Sequence, residues 1–368
     1  METKRFSQID ICKGIGIVLV VLGHALKQTG SSNTAVRAII SVIYSFHMPL
    51  FFMLSGFVSI KILGLADRKQ RFSYIGQRAR RLLIPYAVMS LLYIPLKIAM
   101  SSYAIVPYTL QDTWRILIGD SPNTAVWFLF ILFFCCAVAA LAVRDETLVP
   151  VLAAAFLFSA ASYILDWQIR IPRYFFYFIL GLWIRKYYET WQALIEDVKA
   201  VLIYLVLFIA ANVFGWFYGG MWFMLTAITG IHLILAFASW IDWKSDVLKR
   251  REHVHYAQDA DPEGAGSAEK IGKLREEGRK EAAHSLCTQC GFFKVLGRFS
   301  MDIYILSEPV IPAIRLLLWN VLHFPGLIVV IVCFLGGLLI PIPVSSKIIR
   351  RIGILRAAFL GMDLKDKG

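Results

Sequence analysis

Charged residues are scarce in this sequence, 17% of 368, and its six cysteines form no disulfide framework. Cys12, Cys135, Cys136 and Cys333 lie in or beside apolar runs, where a thiol behaves as a small hydrophobe. Cys287 and Cys290 make a lone C-x-x-C near His284, with His253 and His255 upstream. Their irregular spacing does not suit a tetrahedral zinc site, and no metal is expected. No zinc-finger, RNP or helix-turn-helix pattern is present, so the net charge of +13 does not signal a nucleic-acid partner. There is no repeat on the scale of roughly 20–50 residues and no twofold repeat of hydropathy. No small-x-small cleavage site follows the first apolar run, which predicts a retained first helix rather than a cleaved signal peptide.

What the sequence has in abundance is apolar surface. It is 58% hydrophobic with a mean hydropathy of +0.65, against about 45–50% apolar in soluble domains. Runs of roughly 17–25 apolar residues are membrane-helix candidates. About ten occur, near 11–28, 38–64, 82–102, 125–143, 147–165, 172–188, 200–217, 221–241, 299–320 and 325–346. The fold class that follows is an all-α polytopic membrane protein of about ten transmembrane helices. The second run contains His47-Met48-Pro49, and proline there leaves open one broken helix or two short ones.

Charge is distributed unevenly between the runs. Alternate loops are poor in Lys and Arg, while the others carry Lys61 to Arg81, Arg144, Arg185, Lys186 and Lys199. By the positive-inside rule the basic loops and both termini are cytoplasmic. Residues 1–348 read as one membrane domain with a charged cytoplasmic loop inserted at about 244–295, in which 269–283 reads as a short charged helix. Residues 349–368 read as a basic tail, whose isoleucines and arginines suit a segment lying on the inner leaflet.

Few ionisable residues lie within the apolar runs, and each is a candidate for function. His24 stands eleven positions after Lys13 in the first run, about 16 Å further along a helix. A buried neutral imidazole is the form a general base requires; the bland alternative is a packed helix–helix histidine. Lys13 is either a snorkelling anchor or a contact for an anionic cofactor. Arg78 and Arg81 are either positive-inside anchors or phosphate ligands. His47, beside Pro49, and Ser55, beside Gly56, could line a substrate-binding cavity where the helix bends. Asp302 and Glu308 lie in the ninth run; one of them could orient His24 or bind an acceptor hydroxyl, or each could be an ordinary helix-end carboxylate.

Three motifs taken together resemble a known family. Lys13-x10-His24, the run from Phe46-His-Met-Pro49 through Ser55-Gly-Phe57, and Arg78-x-x-Arg81 are similar to the acyltransferase 3 family of integral membrane O-acyltransferases. The wording of the second motif resembles its fucose 4-O-acetylase-like branch. The three motifs cover roughly the first ninety residues, and Leu296 to Leu306 extends the likeness. The resemblance implies transfer of an acetyl or other acyl group from acyl-CoA, a co-substrate rather than a tightly bound cofactor, to a hydroxyl of a cell-envelope sugar or polysaccharide. It implies His24 as the catalytic histidine and Lys13, Arg78 and Arg81 as the residues that hold CoA. Where many members carry a histidine after Ile-Tyr-Ile-Leu306, this chain has Ser307, followed by Glu308 and Pro309. The partners implied are acyl-CoA, a glycan acceptor and the lipid bilayer of a bacterial plasma membrane. The competing reading is a secondary transporter or flippase, since broken helices with buried ionisable groups mark those proteins too. A non-catalytic scaffold acting through the charged loop is a third.

Overall fold

The structure is a computed structural model that describes residues 6–28, 33–99, 108–167, 169–258 and 290–362, with only the backbone course at 218 and 245–258. Among the described residues every regular element is a helix. The order is α1 (Ser7–Gln28), α2 (Thr34–Phe57), α3 (Arg68–Ala99), α4 (Trp127–Ala142), α5 (Leu148–Ile164), α6 (Arg170–Lys186), α7 (Tyr188–Glu196), α8 (Val198–Tyr218), α9 (Trp222–Gln258), α10 (290–298), α11 (Ser300–Arg315), α12 (Gly326–Leu339), α13 (Pro341–Val344) and α14 (Gly353–Leu360). Six of the described helical stretches are long and apolar enough to cross a bilayer, and α4 and α5 are shorter apolar helices. The chain is a polytopic helical membrane protein.

Each of the ten apolar runs is helical, and the differences lie at the ends. Helix α3 begins well before the apolar run it contains, because the basic stretch from Arg68 continues the same helix. Helix α9 continues to Gln258, so the polar segment expected from 244 starts as helix. The 269–283 stretch and Cys287 lie outside the described residues, while Cys290 is buried in α10. Helix α2 stays one helix through Pro49 and ends at Phe57, with a 3-10 turn at Ile60–Gly64 beyond it. Its start is set by Asn33, whose side chain accepts from the Ala35 N–H at 2.8 Å. Two prolines in α11, Pro309 and Pro312, remove backbone donors, and the helix passes into a π turn at Leu316–Val321.

Small residues decide how closely the helices approach. Helix α2 crosses α6 with Gly56 against the Phe178 carbonyl and Gly181 against the Met53 carbonyl; a Cβ at either glycine would overlap the facing backbone. Helix α1 meets α10 in the same way, Gly14 on the Phe293 carbonyl and Gly297 on that of Asp10. Such backbone contact is how apolar helices associate where lipid removes the hydrophobic drive. The second crossing also brings Lys13 and Arg298, the neighbours of those glycines, to the same end of the bundle. The terminal segment is not simply laid on a membrane surface: α14 packs on α3 with Arg356 and Leu360 buried. Its outward residues, Ile352 and Ile354, remain exposed.

Candidate active site

Two cavities lie along α2, one beside its last ten residues and one beside its middle turns. The first, about 260 Å³, collects five basic side chains from four separate segments: Lys13 from α1, Arg78 and Arg81 from α3, Arg298 from α10, and Arg350 after the π turn at Ser345–Ile349. One carboxylate, Asp302, faces them. The far wall is apolar, built from Met48, Phe51, Leu54, Phe128 and Leu132. Charge at one end and hydrocarbon at the other suit a ligand with an anionic head and a slender uncharged arm.

The arginines are held by neighbours. Arg78 donates through Nε to the Tyr74 hydroxyl at 2.9 Å and through Nη2 to Ser59 Oγ at 3.3 Å, and its guanidinium lies over the Tyr74 ring. Arg350 donates to Asp302 Oδ2 from Nε at 3.1 Å and from Nη2 at 2.8 Å, and Ser345 Oγ bonds the same oxygen. Asp302 is thereby committed to fixing Arg350, away from His24. The same basic stretch of α3 contains an arginine of another kind. Arg71 is buried and donates to the carbonyls of Ala140, Val143 and Leu65, closing the end of α4.

His24 and Glu308 meet one helical turn above this cavity. His24 Nδ1 lies 4.0 Å from Glu308 Oε2, an ion-pair distance longer than a hydrogen bond. The two side chains are 25% and 12% exposed, so the pair is sheltered yet reachable. Neither residue lines the basic cavity. Met48 and Tyr304 do, and they stand four positions from Tyr44 and Glu308 on the same helices, about 6 Å of rise. The Tyr44 ring lies beside His24, with centroids 6.4 Å apart. His47 is buried below, its Nδ1–H donating to the Ile43 carbonyl at 2.7 Å and its ring edge-on to Tyr44.

Of the residues singled out from sequence, Lys13, Arg78, Arg81, Ser55 and Asp302 gather round one cavity. His24 and Glu308 form a pair above it, and His47 packs between helices. Arg298 and Arg350 were not read as site residues. Both belong to basic segments that look like ordinary anchors until the helices are assembled. Among the described residues no three of His, Cys, Asp and Glu gather closely enough to hold a metal ion.

An all-helical membrane protein with a basic, apolar-walled cavity beneath a histidine–carboxylate pair defines the class. A family model described as an acyltransferase domain matches residues 6–346, and the chain belongs to that family, acyltransferase 3. Two curated relatives are similar over part of their length. Nodulation protein NolL of Mesorhizobium japonicum is 35% identical over 133 residues, 35% of this chain and 34% of the relative. Nodulation protein NolL of Sinorhizobium fredii is 36% identical over 125 residues, 33% of this chain and 32% of the relative. The match thus spans about a third of each relative. No solved structure matches.

Proposed function

We propose that this protein is a membrane O-acyltransferase that moves an acetyl or similar acyl group from acyl-CoA to a hydroxyl of a sugar or glycan. The observation that carries the reading is the basic cavity with an apolar wall, set one helical turn below His24. Arg78, Arg81, Lys13, Arg298 and Arg350 hold the phosphates of the donor, where guanidinium groups give paired charge-assisted bonds. The pantetheine arm runs along the apolar wall and delivers the thioester toward His24. Asp302 and Ser55 belong, in this reading, to the donor side.

Chemistry follows from which imidazole nitrogen is occupied. Nδ1 faces Glu308, which leaves Nε2 for the acceptor. As the hydroxyl oxygen attacks the thioester carbonyl, its proton passes to Nε2; the C–S bond then breaks and the CoA sulfur takes that proton back from the imidazolium. An ester and free CoA result, and His24 ends as it began. The Glu308 carboxylate steadies the imidazolium that forms in between and holds the ring in one orientation. The glycan acceptor and the bacterial plasma membrane follow the family resemblance, the acceptor through the 46–57 run, and the distribution of basic loops turns the arginine cavity to the cytoplasm.

The test is transfer of label from acetyl-CoA by the purified chain in detergent, scored with mixed cell-envelope glycans as acceptors. Transfer by the wild type and its loss in His24→Ala support the reading. A transporter or scaffold gives no transfer, and transfer that persists in His24→Ala overturns the role given to the imidazole.

A further inference from the structure

The second cavity, about 300 Å³, lies beside the middle turns of α2, on the side of Met48 away from the basic cluster. Its wall comes from α2, the end of α5, the start of α6 and the start of α9: Ser41, Tyr44 and Ser45, with Pro49 below them, then Tyr163, Arg173 and Tyr174, and Phe223. The composition differs from that of the basic cavity. It has three phenol rings, two hydroxyls and a single guanidinium, with no carboxylate. Arg173 lies over the Tyr163 ring at 4.4 Å and donates through Nη2 to the carbonyls of Ser162 and Trp167, both at 3.3 Å. Its Nε is buried with no hydrogen-bond partner. A buried Nε–H without an acceptor is an unfavourable arrangement that an oxygen-rich ligand would relieve.

One aromatic ring separates this cavity from His24. Tyr44 lines the cavity, and the same ring lies against the His24 face of α1, close enough that a Cβ on Gly23 would come within 2.9 Å of it. Tyr174 is held flat by stacking on Phe52 at 4.6 Å, which fixes one aromatic face of the wall. Rigid aromatic faces set among hydroxyls and one guanidinium match a neutral pyranose ring, which presents C–H faces and hydroxyl edges. They do not match an acyl chain, which has no use for the polar groups, or a polyphosphate, which needs more than one cation. The volume is near the lower end of ordinary ligand pockets, roughly 300–1,000 Å³, and suits the terminal sugar of a glycan rather than several residues of it.

We infer that this cavity is the acceptor subsite: it seats one neutral sugar ring beside the middle turns of α2, next to the CoA cavity, and presents its hydroxyl to His24 past Tyr44. The inference rests on the acyltransferase reading for what happens to the sugar, but not for whether the sugar binds. Two readouts therefore separate the two claims. The first is saturation-transfer NMR on the purified full chain, with no acetyl-CoA present, using methyl glycosides of neutral hexoses and 6-deoxyhexoses as probes. The second is the KM of the best such glycoside and of acetyl-CoA in the transfer assay.

Ser41→Trp fills the cavity, and Tyr174→Phe removes one hydroxyl while keeping the stacked ring. Expected are saturation transfer to at least one methyl glycoside in the wild type, its loss in Ser41→Trp, and a weakening of roughly three- to tenfold in Tyr174→Phe, on the scale of one neutral hydrogen bond. In the transfer assay the glycoside KM rises by the same factors while the acetyl-CoA KM does not. Saturation transfer that is absent from the wild type, or equal in wild type and both variants, overturns the subsite. Saturation transfer lost in Ser41→Trp from a chain that transfers no acetyl group keeps the subsite and overturns the enzyme reading.

Discussion

At the scale of single residues, two arginines seven positions apart on one helix do different work. Arg78 faces the basic cavity, held by Tyr74 and Ser59 at its edge, whereas Arg71 is buried against three carbonyls. Arg78→Ala is expected to raise the KM for acetyl-CoA about tenfold or more with little change in thermal stability, since it removes one charge-assisted phosphate contact. Arg71→Ala is expected to do the reverse. It leaves buried carbonyls without donors, a loss of about 1.5–3 kcal/mol for a bond to a charged group, and lowers Tm in a thermal melt while any remaining activity keeps its KM. Equal KM effects from both would remove the distinction. Glu308→Gln keeps the shape but not the charge beside His24. It is expected to lower kcat about ten- to a hundredfold and leave the acetyl-CoA KM nearly unchanged, the pattern of an interaction made in the transition state.

At the scale of helices, backbone crossings rather than apolar area position the site. Lipid is as apolar as the side chains it replaces, so helices in a membrane gain most where their backbones can touch. The crossing of α2 and α6 at Gly56 and Gly181 is of that kind. A methyl group at either glycine overlaps a facing carbonyl, so Gly56→Ala or Gly181→Ala is expected to shift the chain out of the monodisperse peak on size exclusion. Gly64→Ala is the matched control. No neighbouring atom lies within 4 Å of a Cβ there, and the variant is expected to elute and melt as the wild type does. A dispersed Gly64→Ala, or a well-behaved Gly56→Ala, would contradict this account of the packing. Pro309 and Pro312 act at the same scale: they remove donors in the second half of α11, which passes into the π turn at Leu316–Val321.

At the scale of the whole molecule, the two cavities take opposite halves of α2, Met48 to Ser55 and Ser41 to Pro49, and His24 of the His24–Glu308 pair stands beside Tyr44 close to where they adjoin. A donor that stays on one side of a membrane and an acceptor on the other can meet only at such a point. The arrangement is tested by accessibility. The described cysteines Cys12, Cys135, Cys136, Cys290 and Cys333 are all buried, which keeps background labelling low. A membrane-impermeant thiol reagent applied to intact cells is expected to label Ser41→Cys and to leave Ser55→Cys unlabelled until the cells are opened. The opposite pattern would invert the orientation drawn from the basic loops.

The sequence by itself determined the all-helical membrane class, the course of each apolar run and the family. Those properties depend on local composition: twenty apolar residues cannot leave their backbone groups unpaired in lipid, so they become helices whatever surrounds them. It left Lys13, Arg78 and Arg81 open between membrane anchors and phosphate ligands, and only the family resemblance of the motifs favoured the second. Tertiary structure alone decided which cations share a cavity. Arg298 and Arg350 join them only because Gly14 and Gly297 let α1 and α10 touch and because Asp302 draws Arg350 inward. It decided likewise that Glu308, not Asp302, stands beside His24, that Arg71 closes α4, and that Tyr44 divides His24 from a second cavity. Each of these depends on distances between residues far apart in the chain, which are set by helix crossings and carry no local signature.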